Sequence, residues 1–321
     1  MHKINTLFVG TSEFAVPILN KLAELDFIEL VGVITQPDKP VGRKQTLTAP
    51  AVKLSIFNYQ FPLKLFQPES LKVEAESILN ETQPELIIVA SYGQFIPKVM
   101  LDYPKYKCLN IHGSLLPDLR GAVPIQMAIL KGYQETGVSI QIMSEKMDEG
   151  DILNSEECII GSEETYGTLT TKLSNVSAGL VERTLPKWLA GEIVPQKQDE
   201  SKATYCYIKD VSKAKAEVDW QKFAQEIERM VRAFNPAPIA WCKFPVYANA
   251  STGKQISKKL QIYSSRIVGD QDFDSEVGKL IRKGKQLFIK CGDGKYLELL
   301  ELKLEGKERR RAEEYLFLVA D

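Results

Sequence analysis

The 321-residue chain has only two histidines, His2 and His112, and its five cysteines are scattered with no C-x-x-C pair. These absences exclude a cysteine zinc site and a disulfide frame, and leave reduced thiols as the expectation. No apolar run approaches the roughly 18 residues of a bilayer span. Residues 1–10 run into a strand-like segment without a signal-peptide core, so a cytoplasmic protein without a membrane partner is expected. Also missing are G-x-G-x-x-G, the P-loop and G-x-S-x-G, which removes the commonest nucleotide and serine-hydrolase readings. What is present, 44% hydrophobic and 26% charged residues, suits a folded chain of about two domains and excludes disorder and collagen.

Acidic residues are missing from one long stretch. Residues 1–210 carry 20 basic and 26 acidic groups, residues 211–321 carry 21 and 16, and residues 229–269 hold seven cations without one Asp or Glu. Phe234, Trp241, Phe244, Tyr247 and Tyr263 are interleaved with those cations. Cations without counter-charge among aromatics predict a polyanion-facing surface, with Lys258 and Lys259 as phosphate contacts. Trp241 and Phe244 read as barrel core.

Short β-rich runs at 6–9, 28–34, 86–90, 108–111 and 138–142 alternate with helical patterns at 14–25, 70–79 and 125–130. That alternation predicts an α/β fold, a doubly wound, mostly parallel sheet of Rossmann-like type covered on both faces. A long helix over 168–189 follows. Residues 1–195 are then one domain and the polar stretch 196–210 a linker. Residues 211–321, with a helix over 220–234 and short strands between turn signals, form a small OB-like β-barrel domain. Residues 36–50, after a strand end, hold three prolines with Lys39, Arg43 and Lys44. A basic loop there borders the ligand crevice of an open sheet.

Asn110 and His112 lie two apart at the carboxyl end of a predicted strand and so project from one face. Side by side on a buried strand they need polar partners. Met147-Asp148-Glu149-Gly150-Asp151 follows the 138–142 strand; taken alone it reads as a turn, with divalent-metal binding as the alternative, and one of its carboxylates can also meet His112 in space. An Asn, a His and an Asp without an internal nucleophile suit acyl transfer to an incoming amine. Asn110 would stabilise an oxyanion, His112 would serve the tetrahedral intermediate, and Asp148 would orient the His and relay the proton. No metal is implied.

Residues 110–129 (NIHGSLLPDLRGAVPIQMAI) resemble the N-x-H-x-S-L-L-P-x-x-R-G-x-x-P-I signature of the 10-formyltetrahydrofolate-dependent formyltransferases. Within that superfamily the resemblance to the branch acting on methionyl-tRNA extends over nearly the whole chain. It includes VGTSEFAVPIL, TQPDKPVGR, PELIIVASYGQFIP, ATY at 203–205, VDW at 218–220 and RAFNPAP at 232–238. The resemblance implies Asn110, His112 and Asp148 as the catalytic trio and Ser114, Leu115, Leu116 and Pro117 as lining of the folate site. It also implies Arg43 and Lys44 in the loop that meets the acceptor stem, initiator methionyl-tRNA and 10-formyltetrahydrofolate as substrates, a monomer, and a role in translation initiation. A sugar-nucleotide formyltransferase is the nearest rival, and the basic second domain argues against it.

Overall fold

The computed structural model describes residues 3–42, 45–56, 63–247, 255–269, 273 and 275–319. The chain divides into two compact units: residues 1–125, 135–159 and 169–206 form the first, and residues 126–134, 160–168 and 207–321 the second.

The first unit is built on a seven-stranded sheet in the order Ile152–Ile159, Glu135–Ile142, Cys108–His112, Leu86–Ala90, Ile4–Gly10, Ile28–Ile34, Leu65–Phe66. The strands from Cys108–His112 to Leu65–Phe66 run parallel to their neighbours. Leu86–Ala90, in the middle of the sheet, is a continuous apolar run because both of its faces are covered. Leu7, Val9, Ile87 and Val89 pack on Leu71, Ala75, Ile78 and Leu79. The intervening Phe8 and Ile88, on the other face, are equally buried. The helix Leu71–Thr82 presents those apolar residues at helical spacing and stops where Gln83 turns left-handed, φ 43°.

One orientation departs from the mostly parallel expectation. Glu135–Ile142 runs antiparallel to Cys108–His112, so Ile142 lies beside Leu109 at the start of that strand and not at its carboxyl end. Elsewhere the chain leaves Ile4–Gly10 for Ile28–Ile34 and later returns to place Leu86–Ala90 on the other side. That reversal of strand order is where open α/β sheets form a crevice. Across it Thr11 Oγ1 donates to the Tyr92 carbonyl at 2.9 Å, and Ser12 Oγ to Ser91 Oγ at 2.8 Å.

Within 36–50 the chain makes a small exposed hairpin, Lys39–Val41 with Thr46–Thr48. Arg43 and Lys44 lie outside the described residues. Residues 196–206, inside the stretch read as a linker, are hydrogen-bonded into the first unit. Gln196 exchanges backbone bonds with Ile152 at 2.8 Å, and Tyr205–Cys206 pairs in parallel with Arg120–Gly121.

The second unit is an antiparallel sheet curled into a half-barrel, in the order Ala240–Tyr247, Gln255–Val268, Tyr296–Leu304, Gln286–Lys290, Leu280–Lys283, with Arg310–Arg311 pairing to Tyr296–Leu304. Ile227 and Val231 of the helix Ala224–Ala233 join Leu260, Ile262, Leu287 and Leu299 in its core. Phe244 packs against that core as expected. Trp241 does not: it is half-buried at the surface, with the Lys259 ammonium 4.2 Å from its ring centre.

Residues 229–269 have counter-charge from elsewhere in the chain. Arg232 pairs with Glu228 and Arg266 with Glu298, each at 2.6 Å, and Lys243 lies 3.9 Å from Glu217. The expectation of a stretch wholly without counter-charge is corrected at these three of its seven cations: their acids lie outside the sequence window, one turn earlier on the same helix for Arg232 and on other segments for Arg266 and Lys243. All five cysteines are free and buried. Burial pushes the Cys242 and Cys291 thiols up to about 12 and Cys108 higher still, so they are protonated and inert at neutral pH.

Candidate active site

Asn110, His112, Ser139 and Gln141 lie on one face of the first unit's sheet, because Asn110 pairs in register with Gln141 and His112 with Ser139. The other face of the same strands carries Leu109, Ile111, Val138 and Ile140, all buried. A polar stripe on a buried sheet must be satisfied internally, and its side chains bond to three loops and to Ser155 of the neighbouring strand.

Asp148 is brought to this stripe by the loop 143–150. The loop closes where Ile142 N–H donates to the Asp151 carbonyl at 2.9 Å. Gly150 packs so tightly there that a Cβ would fall 1.7 Å from the Ile142 oxygen. Asp148 itself adopts a left-handed backbone, φ 55°. Its Oδ1 accepts from Asn110 Nδ2 at 3.1 Å and Gln141 Nε2 at 2.9 Å, and its Oδ2 accepts from Gly121 N–H at 2.8 Å. Three donors converge on one carboxylate, which fits an ionised acceptor. Asp151 contributes its backbone to the closure.

His112 is 6% exposed, with Nε2 2.9 Å from the Leu119 carbonyl and Nδ1 3.7 Å from Asp148 Oδ1. A carbonyl only accepts, so Nε2 carries the hydrogen and Nδ1 presents its lone pair on the side of the carboxylate. The arrangement can take a proton at Nδ1 and stabilise the resulting imidazolium with Asp148. The other N–H of the Asn110 amide has no partner among the described residues and can donate to a developing oxyanion.

Ser114, Leu115, Leu116 and Pro117 follow the strand and are tied to the same face. Ser139 Oγ donates to the Ser114 carbonyl at 2.8 Å and accepts from Leu116 N–H at 3.0 Å. Leu115 packs over Gly137, where a Cβ would approach it at 2.4 Å. Lys258 is half-buried. Lys259 has its pKa lowered, first by desolvation and then by Lys213. Among the described residues no group of three or more His, Cys, Asp or Glu side chains could hold a metal ion, and no helix is long and apolar enough to cross a membrane.

Gln141, Ser139 and Gln198 are not anticipated from the sequence. The alternation of Ser139 and Gln141 within an otherwise apolar strand is a signal that could have found two of them. Gln198 stands in the polar segment and carries none.

The Formyl transferase family model matches residues 2–185, and the Formyl transferase, C-terminal domain model matches residues 210–317. The methionyl-tRNA formyltransferase of Bacillus licheniformis is 39% identical over 313 residues, covering 97% of this chain and 93% of the relative. That of Bacillus subtilis is 38% identical over the same shares. Among solved structures, an N-formyltransferase from Helicobacter canadensis in complex with folinic acid and dTDP-3-aminofucose aligns with a TM-score of 0.65 at 18% identity, over 92% of this chain and 98% of its own. HypX from Aquifex aeolicus in complex with tetrahydrofolic acid aligns with a TM-score of 0.65 at 18% identity, over 98% of this chain and 47% of its own. At that identity the two structures speak for the fold, whereas the relatives and the paired domain models speak for the family: the chain belongs to the methionyl-tRNA formyltransferases.

Proposed function

We propose that the chain transfers the formyl group of 10-formyltetrahydrofolate to the free α-amine of methionyl-initiator tRNA, in the cytoplasm. The observation that carries this reading is the contact of the Asp148 carboxylate with Asn110, beside His112 Nδ1, in a chain aligned along its length with such enzymes. Residues 1–195, with 196–206 hydrogen-bonded to them, do the chemistry; residues 211–321 hold the tRNA.

The amine attacks the formyl carbon, a C–N bond forms, and the carbonyl electrons move onto oxygen. Asn110 donates its remaining N–H to that oxygen. His112 Nδ1 takes the proton the amine gives up and returns it to N10 of the folate as the C–N10 bond breaks, and Asp148 stabilises the imidazolium in between. The products are N-formylmethionyl-tRNA and tetrahydrofolate, with no metal required. Ser114, Leu115, Leu116 and Pro117 line the folate side. Formyl transfer to methionyl-tRNA by the purified chain, followed with 10-formyltetrahydrofolate as donor, tests the reading; transfer to an amino sugar nucleotide and not to the tRNA would overturn it.

Arg43 and Lys44 are proposed to meet the acceptor end. Arg43→Ala is expected to slow formylation of full-length tRNA while folate affinity is unchanged, measured as kcat/KM for tRNA beside donor binding. Lys258 is proposed to bind a phosphate. Removing one phosphate-binding cation lowers the salt slope of log affinity by about 0.7–0.9. A plot of tRNA affinity against salt for Lys258→Gln is therefore expected to be flatter than wild type, and superimposable plots would remove the residue from the interface. Lys259→Gln is expected to change that slope less, because its ammonium lies on Trp241.

A further inference from the structure

We propose that Gln198 is a positioning residue for formyl transfer, fixing the direction in which Asp148 presents its carboxylate through a chain of amide orientations that starts at Arg120. The inference rests on the reading of Asp148 as the carboxylate of the catalytic trio.

Arg120 is fully buried, and its guanidinium carries only donors. Its Nε and Nη2 point at Gln198 Oε1 at 3.0 and 2.9 Å, while Nη1 and Nη2 hold Glu200 at 2.9 and 2.7 Å. The Gln198 amide can therefore be turned only one way, oxygen toward Arg120. Its nitrogen then faces the carbonyls of Asp148 at 2.8 Å and Gly150 at 2.7 Å, with Gln141 Oε1 at 3.3 Å sharing a hydrogen. Gln141, 1% exposed, is turned in its turn: with its oxygen toward Gln198, its nitrogen faces Asp148 Oδ1. Reversing either amide sets donor against donor at one end and acceptor against acceptor at the other. Gln198 thus grips the backbone of the left-handed Asp148 turn and also directs the side chain that bonds the carboxylate. A second tether runs in parallel, from Arg120 Nη1 to Tyr205 Oη at 3.0 Å and from there to Glu149 at 3.1 Å.

Gln198→Glu keeps the size and the acceptor facing Arg120 but sets an oxygen against the two carbonyls. The folded variant is expected to lose about 10–100-fold in kcat, the range for removing an outer partner of a functional ligand. KM for donor and tRNA should stay within about twofold. Gln141→Met, which removes the donor to Asp148 Oδ1 at the end of the relay and leaves the bonds of Gln198 to Arg120 and to the two carbonyls in place, should show the same split and decides the matter alone if Gln198→Glu does not fold. Because Gln198 acts through Asp148, adding Gln198→Glu to Asp148→Asn should cost no more than about threefold further. A wild-type kcat in either folded variant, or a full multiplicative loss in the double variant, overturns the proposal. An inactive Asp148→Asn beside a fully active Gln198→Glu overturns the relay alone. A fully active Asp148→Asn overturns the catalytic role of Asp148, and the relay with it.

Discussion

Asp148→Asn is expected to lower kcat for formyl transfer on the order of 10²–10⁴-fold, within the range for losing an oxyanion donor or the carboxylate behind a catalytic histidine. The substitution removes the negative charge that an imidazolium at His112 would face. It also breaks the local geometry, because three donors converge on the two oxygens: Asn110 and Gln141 on Oδ1, and Gly121 N–H on Oδ2. An Asn has one acceptor oxygen, so one side must set N–H against N–H. Asn110→Ala and His112→Ala are expected to fall by at least about 10²-fold while tRNA affinity, read at equilibrium, is retained. Asp151→Asn is the control, since Asp151 holds the loop through its backbone; its kcat should stay close to wild type. A larger loss at Asp151 than at Asp148 would assign the acid to the wrong residue.

Gly121→Ala is expected to be among the most damaging single-methyl changes in the first unit. Gly121 has φ 111°, and an added Cβ would lie 2.1 Å from the Cys206 carbonyl oxygen. Backbone strain and the overlap each cost about 1–3 kcal/mol. Together, at about 2–6 kcal/mol, they take a large share of the roughly 5–15 kcal/mol that keeps a domain folded. Either Tyr205–Cys206 separates from Arg120–Gly121, or the Gly121 N–H turns away from Asp148. Thermal unfolding and kcat should therefore fall together, and a variant with wild-type midpoint and turnover would show that the strands relax without consequence.

The parts of the fold legible in the sequence are those that depend on burial alone. The strand Leu86–Ala90 coincides with its apolar run, because a strand covered on both faces leaves no polar residue to blur its ends. Strand direction is not a matter of periodicity, and so Glu135–Ile142 reads in the sequence as one more parallel strand. The site divides in the same way. Asn110 and His112 stand out because an Asn and a His on a buried strand need an explanation, and Asp148 because acids cluster after it. Gln141 is hidden by the unknown register, and Gln198 by a polar stretch whose composition is that of any connector. The charge reading fails at Arg232 and Arg266 for a related reason: Glu228 precedes the acid-free window by one residue and Glu298 comes from a distant strand, so a local count sees neither.

The pairing of Tyr205–Cys206 with Arg120–Gly121 also sets an order of events while the chain is being made. Domains acquire structure from the amino end as the ribosome extends them. A nascent chain that stops at residue 195 has every strand of the central sheet, yet Arg120 has none of its acceptors Gln198, Glu200 or Tyr205. A buried guanidinium without acceptors is strongly disfavoured. The turn around Gly121 is therefore expected to set only once residue 206 has left the exit tunnel, and with it the bond from Gly121 N–H to Asp148 Oδ2, so that the proposed centre is completed by a stretch of chain translated some sixty residues after Asp148.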